Sequence, residues 1–556
     1  MVKSKKVVII ASNDYSNLLS PIICDPGIID LIYNAYPPLE VEGNSFVKLT
    51  DLRKFIASKK GSSAVDADAR KADITKTTYL NGIFLYNCLF MAGFEPTLIN
   101  DFAEDQDVLE NVLQHDILAV AISTTFLPFR EHLERIVTAI KLKRPDVPII
   151  VGGPMVYLSH ALYAEPGTNY PLEILKKLYL FFDPGRDIDY FVIDRRGEKT
   201  LIELLRTLRE DKDVGVVHNI GILVGNKVRF TPRFLEIGDV NDEIIDWDSI
   251  PDYLLKHTVS LRGSAGCPFK CEFCNFHFYA PNVLRKPLAT VIQELDQLSR
   301  RPQVKHISFV DDNFLTSAGK MEEFCGILAD RKYPFTWSSF IRADSVTKDN
   351  IDLVTSSGAN FLSFGVESGS PRILANMNKR VQREHVLEVI NGMGERGVST
   401  HSTLIVGFPG ETSETVDQTI DFLNSYKSSD KAVHWISPFV FMMLPKVRVE
   451  RDREKYGLDG FMLKWHHNTM EIREACLQLR RIMLNMQEVQ IPYSHEFPLA
   501  AEVLHISNTC ATSLIKFIRE HVKNQMRFTD TKDQIFLMQN RAIFEEIKKI
   551  IAPDQD

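Results

Sequence analysis

Short apolar runs separated by segments of helical period recur along most of this chain, and that rhythm leaves few folds open to it. Lys6–Ala11 (KVVIIA) reads as a buried strand. Tyr79–Ala92 is helical in period and stops at Gly93, and Glu95–Ile99 reads as a strand. Asp107–Gln114 is a short helix, Ile117–Ser123 (ILAVAIS) a strand and Arg130–Leu142 an amphipathic helix. Val147–Val151 is a strand that ends in Gly152-Gly153-Pro154, and Asp189–Ile193 and Gly197–Arg209 add one more strand and helix. Strands apolar throughout, alternating with helices, predict an α/β domain over residues 1–237 whose parallel sheet is covered on both faces. Ligands of such sheets sit at the carboxyl ends of the strands. The stretch Asn13–Thr75 breaks the rhythm and reads as an insertion.

An acidic, Pro-containing stretch within residues 238–258 reads as a linker. A second alternating run covers residues 259–445. Its strands after the first are His306–Val310, Thr336–Phe340, Phe361–Val366, Ser399–Val406 and Val433–Val440. Helices fall between them at Ala289–Ser299, Gly319–Ala329, Lys348–Ser357, Glu384–Arg396 and Glu414–Tyr426. Such repeats predict a parallel, partial (β/α)6 TIM-like barrel. Residues 446–556 are expected to be mainly helical, with amphipathic runs at Thr469–Asn485 and Phe536–Ile551. The 556 residues suit two or three domains, and 44% apolar with 25% charged residues is ordinary for a soluble protein. A net charge of −8 argues against wrapping nucleic acid or an anionic membrane. The apolar run Val7–Ala11 is too short for a signal peptide or a spanning helix, so a cytoplasmic protein is expected.

Of eight cysteines, five stand singly and suit small buried hydrophobes. Cys267, Cys271 and Cys274 crowd into one loop as C-x3-C-x2-C. Thiolates this close converge on a soft metal centre. Three ligands are one fewer than a structural zinc site takes, and they suit an iron–sulfur cluster with one open iron. A zinc site completed from elsewhere, with His277 nearby, is the other reading of the residues. The loop follows the first strand of the barrel-like run, where a βα loop lies on the catalytic face.

With Phe273 before Cys274, the segment resembles the radical S-adenosylmethionine (SAM) superfamily, whose open iron chelates the amino and carboxylate groups of SAM. The resemblance covers roughly residues 259–445. It implies SAM contacts at Phe273, at Asp312 and Asn313 after the second strand, and at Arg342 after the third. It further implies contacts at Glu367 and Ser368 after the fourth, and at Gly407 in Thr403–Glu411. Many members carry Gly-Gly-Glu where this chain has Asp311-Asp312-Asn313-Phe314, which resembles the Asp-Asp-x-Phe form of a subset. Glu367 or Asp312 taken singly is equally readable as a structural carboxylate of the barrel mouth.

The front region is similar to the subset with an N-terminal, Rossmann-like cobalamin-binding domain, the class B radical SAM methyltransferases. Ser123-Thr124-Thr125 follows one strand, Gly152-Gly153-Pro154 the next, and Gly197-Glu198-Lys199-Thr200 opens a helix. The resemblance implies that Ser123, Thr124, Gly152, Gly153, Gly197 and Glu198 line a cobalamin site. The Asp-x-His-x-x-Gly motif of many cobalamin proteins is missing, which implies a cobalt without a histidine below it. Ordinary turn residues of an α/β fold are the alternative reading.

Together these resemblances imply a 4Fe-4S cluster, SAM and cobalamin, an electron donor such as flavodoxin or ferredoxin, and a small-molecule or peptide substrate. The implied reaction is methyl transfer to an unactivated carbon or a phosphinate. His434-Trp435 and Trp465–Met470 are candidates to reach a substrate, and the Trp-His segment resembles one in tryptophan C-methylating and phosphinate P-methylating members. Packing of Trp465 against a helix, with its polar neighbours as caps, is the alternative. Two other functions stay open: radical cyclisation or rearrangement assisted by cobalamin, and non-enzymatic sensing of cobalamin or SAM. The front region lacks a second cysteine cluster, which disfavours methylthio transfer.

Overall fold

A computed structural model describes residues 4–12, 24–35, 39–41, 44–46, 76–127, 129–165, 170–185, 187–234, 244–427, 429, 431–491, 508–528 and 547. The chain divides into two compact units. The first comprises Met1–Ile22, Thr78–Leu255 and Leu284–Arg301; the second comprises Ile23–Thr77, Lys256–Val283 and Pro302–Asp556.

The first unit is built on the strands β1 (Lys6–Ser12), β2 (Glu95–Ile99), β3 (Ala119–Phe126), β4 (Ile149–Gly152), β5 (Tyr190–Val192), β6 (Ile220–Val224) and β7 (Lys227–Phe230). They stand in the order β7-β6-β5-β4-β3-β1-β2. From β2 to β5 all pairs are parallel. Val7, Val8, Ile9, Ile10 and Ala11 of β1 are each 0% exposed, because helices cover both faces of the sheet and leave no polar side. The helices of this unit are α1 (Leu80–Met91), α2 (Gln106–Leu113), α3 (Arg130–Lys143), α4 (Pro154–Ala164), α5 (Leu172–Leu178), α6 (Glu198–Arg209) and α7 (Leu288–Ser299).

One expectation is corrected here. The sheet is not parallel throughout, since β5–β6 and β6–β7 pair antiparallel. The hairpin's signal was Ile220–Phe230, two apolar-leaning runs about Gly225, which takes φ +63°. Helix α7, expected within the 259–445 region, groups with the first unit. There Glu294 accepts the Ile245 N–H at 3.2 Å and pairs with buried Lys286 at 2.8 Å.

The second unit holds six parallel strands in sequence order: β8 (Thr258–Leu261), β9 (His306–Phe309), β10 (Thr336–Ile341), β11 (Ala359–Glu367), β12 (Ser399–Val406) and β13 (His434–Val440). Between them run α8 (Ala318–Arg331), α9 (Ile351–Ser356), α10 (Pro371–Asn376), α11 (Arg383–Glu395) and α12 (Ser413–Leu423). The expected partial barrel is therefore present. Its strands alternate: one face is buried, with Ile307, Phe309, Trp337, Leu362, Phe364, Leu404 and Val406 among its residues. The opposite face is half-buried and carries His306, Ser308, Ser338, Ser363, His401, Thr403 and Ser437.

The region after residue 445 is less helical than expected. The strands β14 (Asp459–Phe461), β15 (Lys464–His467) and β16 (Met470–Glu471) form an antiparallel sheet before α13 (Ile472–Asn485) and α14 (Asn508–Phe528). Part of the supposed insertion, the helix Pro26–Ala35, packs on α13. Apart from Ile547, the run Phe536–Ile551 lies outside the described residues.

Candidate active site

The cysteine loop is gripped from two directions. At the end of β9, Asp311 accepts the Gly263 N–H at 3.1 Å and the Ser264 hydroxyl at 2.6 Å. Asp312 accepts the Gly266 N–H at 2.6 Å. Gly266 takes φ +83°, and a β-carbon there would stand 2.3 Å from the Asn282 carbonyl oxygen, so only glycine fits beside Cys267. From the other side comes the turn after α10: the Glu272 N–H donates to the Met377 carbonyl at 2.9 Å, and the Asn378 amide donates to the Lys270 carbonyl at 2.9 Å. Arg342 joins this grip, donating to the Lys379 and Arg380 carbonyls at 2.9 and 3.0 Å. Its guanidinium lies 3.8 Å from the centre of the Phe269 ring.

Burial raises the Cys271 thiol and pushes Cys274 up to about 11; the Lys379 ammonium opposes this at both, and the Arg342 guanidinium at Cys271. Such thiols ionise when a metal centre supplies the charge. Among the described residues, no three His, Cys, Asp or Glu side chains are arranged to hold a single metal ion. A cubane cluster asks for a different arrangement, one thiolate on each of three irons.

The structure brings the other barrel candidates to the carboxyl ends of β9 to β12. Asn313 is 3% exposed, and neither its amide nitrogen nor its oxygen has a partner among the described residues. A buried amide left so is costly unless a ligand completes it. Glu367 takes φ +69° and binds Lys379 Nζ at 3.1 Å and the Thr403 hydroxyl at 3.3 Å. Ser368 is turned to the Thr419 hydroxyl at 3.3 Å, a packing partner on α12. Phe273 lies with its ring centre 5.8 Å from Lys379 Nζ. Gly407 takes φ +86°, and the room a side chain would need there is filled by Trp465 and Ala475. Glu411, pushed up to about 7 by burial, accepts the Gly407 N–H. Lys379 was missed in the sequence because it follows no strand; Asp311 was passed over for its neighbour Asp312.

Two substrate candidates have other work. His434 is 1% exposed and bonds Thr400 at 2.8 Å and the Lys427 carbonyl at 3.0 Å, on the helix-covered face. Trp465 and His467 lie on β15, which packs on α13 as the alternative reading of Trp465 expected, and their rings stack at 5.2 Å. The Trp465 indole N–H donates to the Phe441 carbonyl at 2.7 Å, and His467 Nε2 bonds the Gly407 carbonyl at 3.1 Å.

In the first unit, Ser123 pairs with Gly152 in register. Its hydroxyl meets the Asn81 amide at 3.0 Å and Thr125 at 3.1 Å, while the Asn81 side-chain oxygen has no partner among the described residues. Thr124 donates to the Gly152 carbonyl at 2.9 Å and accepts the Met155 N–H at 3.2 Å. A β-carbon at Gly153 would stand 2.8 Å from the Thr124 hydroxyl, and one at Gly197 2.6 Å from Val192. Helix α4 starts after Gly153, and α6 starts at Glu198 after Gly197, neither with a side-chain cap.

Residues 261–423 match the Radical SAM superfamily, and residues 84–170 match the B12 binding domain. An uncharacterized methyltransferase of Pyrococcus horikoshii is 27% identical over 237 residues, covering 42% of this chain and 52% of the relative, so about half of that protein is matched. The anaerobic magnesium-protoporphyrin IX monomethyl ester cyclase of Rubrivivax gelatinosus is 24% identical over 427 residues, covering 72% of each chain. The solved structure of the cobalamin-dependent SAM radical enzyme OxsB with aqua-cobalamin shares the fold, with TM-score 0.57 and 14% identity over 100% of this chain and 80% of that one. The radical SAM methyltransferase TsrM of Kitasatospora setae does so with TM-score 0.54 and 14% identity, over 95% of this chain and 100% of that one. These two domains imply a 4Fe-4S cluster, SAM and cobalamin as cofactors. The chain thus carries a radical SAM domain and a B12 binding domain together.

Proposed function

We propose that this enzyme is a cobalamin-dependent methyltransferase that acts on an unactivated carbon, or a phosphinate, of a small molecule or peptide. The observation that carries the reading is the joint presence of the two domains in one chain. In such an enzyme the cluster supplies the electron that cleaves SAM, and cobalamin carries the methyl group. Cys267, Cys271 and Cys274 hold the cluster, and Asp311 and Asp312 hold the loop that presents them. Asn313 and Glu367 are the polar groups offered to SAM, through its amino group and ribose. Ser123, Asn81, Gly152 and Gly153 are offered to cobalamin. The half-buried polar face of the barrel supports a substrate site there: ordinary parallel barrels fill that space with bulky branched side chains, and here it is set with hydroxyls and imidazoles.

A second reading, radical ring formation, is favoured by the longer alignment with the Rubrivivax cyclase. Full-length protein reconstituted anaerobically and incubated with SAM and a strong reductant separates the two. Methyl transfer predicts both S-adenosylhomocysteine and 5′-deoxyadenosine, with label from methyl-deuterated SAM retained in the product. Formation of 5′-deoxyadenosine without S-adenosylhomocysteine favours ring formation. Failure to bind cobalamin removes the methyltransferase reading.

A further inference from the structure

Lys379 is a buried lysine that no sequence motif singled out; its side chain is 8% exposed. The turn that carries it is strapped to the cysteine loop by the Glu272–Met377 and Lys270–Asn378 hydrogen bonds, both 2.9 Å. Arg342 holds the same turn by its carbonyls. Asn378 and Arg380, on either side of Lys379, take φ of +51° and +50°, a left-handed conformation that non-glycine residues adopt at a cost. That cost is met where the surroundings fix the backbone, and here what is fixed is the direction of one ammonium. Nζ meets Glu367 at 3.1 Å and lies 5.8 Å from the centre of the Phe273 ring, next to Cys274.

Geometry sets this ammonium beside the cysteine loop. Glu272 and Lys270, which flank Cys271, bind Met377 and Asn378, the two residues before Lys379, and the ring that Nζ overlies is Phe273, between Cys271 and Cys274. Charge near an iron–sulfur cluster shifts its reduction potential, and burial leaves that charge poorly screened.

We propose that Lys379 sets the reduction potential of the cluster, with Glu367 as its counter-charge. This rests on the assignment of Cys267, Cys271 and Cys274 as cluster ligands. An ammonium at this place stabilises the cluster after it has gained an electron from an external donor, and so raises the potential.

The test is a redox titration of reconstituted full-length protein with dithionite and mediator dyes, read by electron paramagnetic resonance. With Lys379→Met the midpoint should move to a more negative potential. Poised at the wild-type midpoint, the variant's reduced-to-oxidised ratio should be about tenfold lower, which is ~59 mV for one electron. Glu367→Gln should move the midpoint the opposite way, and Lys379→Arg should stay near wild type. A merely structural role would not produce shifts of opposite sign at the two partners. A Lys379→Met protein with four irons and an unchanged midpoint overturns the proposal. If that variant holds no cluster, the Glu367→Gln shift decides, and its absence or reversal overturns the proposal. Wild-type protein without any cluster instead overturns the cluster assignment, and this proposal falls with it.

Discussion

The two sheets obey different rules. In the first unit β1 is buried from Val7 to Ala11 on both faces, whereas in the second β12 alternates half-buried and buried residues from Ser399 to Val406. A parallel sheet under helices on both faces has no room for polar side chains. A curled sheet has an outer face for its helices and an inner face that something else must fill. In the first unit the ligand candidates consequently sit at the sheet's edge, on Ser123, Gly152 and Gly153. In the second they sit at the edge and also along the inner face.

The largest expected contrast is in cofactor loading. Cys271→Ala should reduce the iron content from near four per chain to background, because two thiolates do not hold a cluster that needs three. The same variant should keep its cobalamin, whose proposed site is at Ser123, Gly152 and Gly153. Iron and cobalamin analysis of one preparation reads both. Joint loss would show that the two units do not load separately. Reduced cobalamin in this variant should also give a Co(II) signal without nitrogen splitting, since the Asp-x-His-x-x-Gly motif is missing. Imidazole coupling would break that part of the contrast.

The next contrast is in stability. Ile9→Ala removes a side chain packed on all sides and should cost about 2–5 kcal/mol. Ser308→Ala, on the half-buried inner face of β9, should cost less than about 1 kcal/mol. Denaturant unfolding monitored in each unit would test this. A similar cost at both sites would mean that the inner face is packed like an ordinary core.

This contrast was partly legible in the sequence. VVIIA and AVAIS are continuous apolar runs, while STHSTLIV alternates, so the two kinds of sheet could have been told apart by period alone. The cysteine loop was legible because its ligands are close in sequence. Lys379 and Asp311 were not, because what matters about them is contact: a turn more than a hundred residues on from Lys270, and a strand end that reaches back to Gly263. His434 and the Trp465–His467 segment misled for the same reason. Composition offers Trp and His for chemistry, and only the neighbours reveal that their polar atoms hold carbonyls of Lys427, Phe441 and Gly407. The hairpin β6–β7 needed only its turn to be noticed.

The smallest expected contrast is in pH dependence, and it concerns the two imidazoles of the inner face. His306 bonds Thr336 at 2.8 Å and Ser338 at 2.7 Å; His401 bonds Ser437 at 2.8 Å and lies 3.4 Å from the Ser363 hydroxyl. Hydroxyls can donate to a neutral ring as well as accept from it, so these contacts do not demand a charge. Burial lowers both rings to about 4 from the usual 6.5. A base with a depressed value binds fewer protons folded than unfolded. Its contribution to stability is therefore complete above pH 6.5 and is lost as the pH falls towards about 4. With water entering the inner face, the loss is on the order of 1 kcal/mol per ring. Melting temperatures compared between pH 7.5 and 5 should then fall further for wild type than for His401→Gln or His306→Gln. In the first unit His160, packed on Phe181, is likewise lowered to about 4 by burial, so the comparison is read from the two variants against wild type. A difference between wild type and variants that stays flat with pH would mean the rings are already solvated. The inner face would then be an open cleft and not a desolvated site prepared for an uncharged part of a substrate.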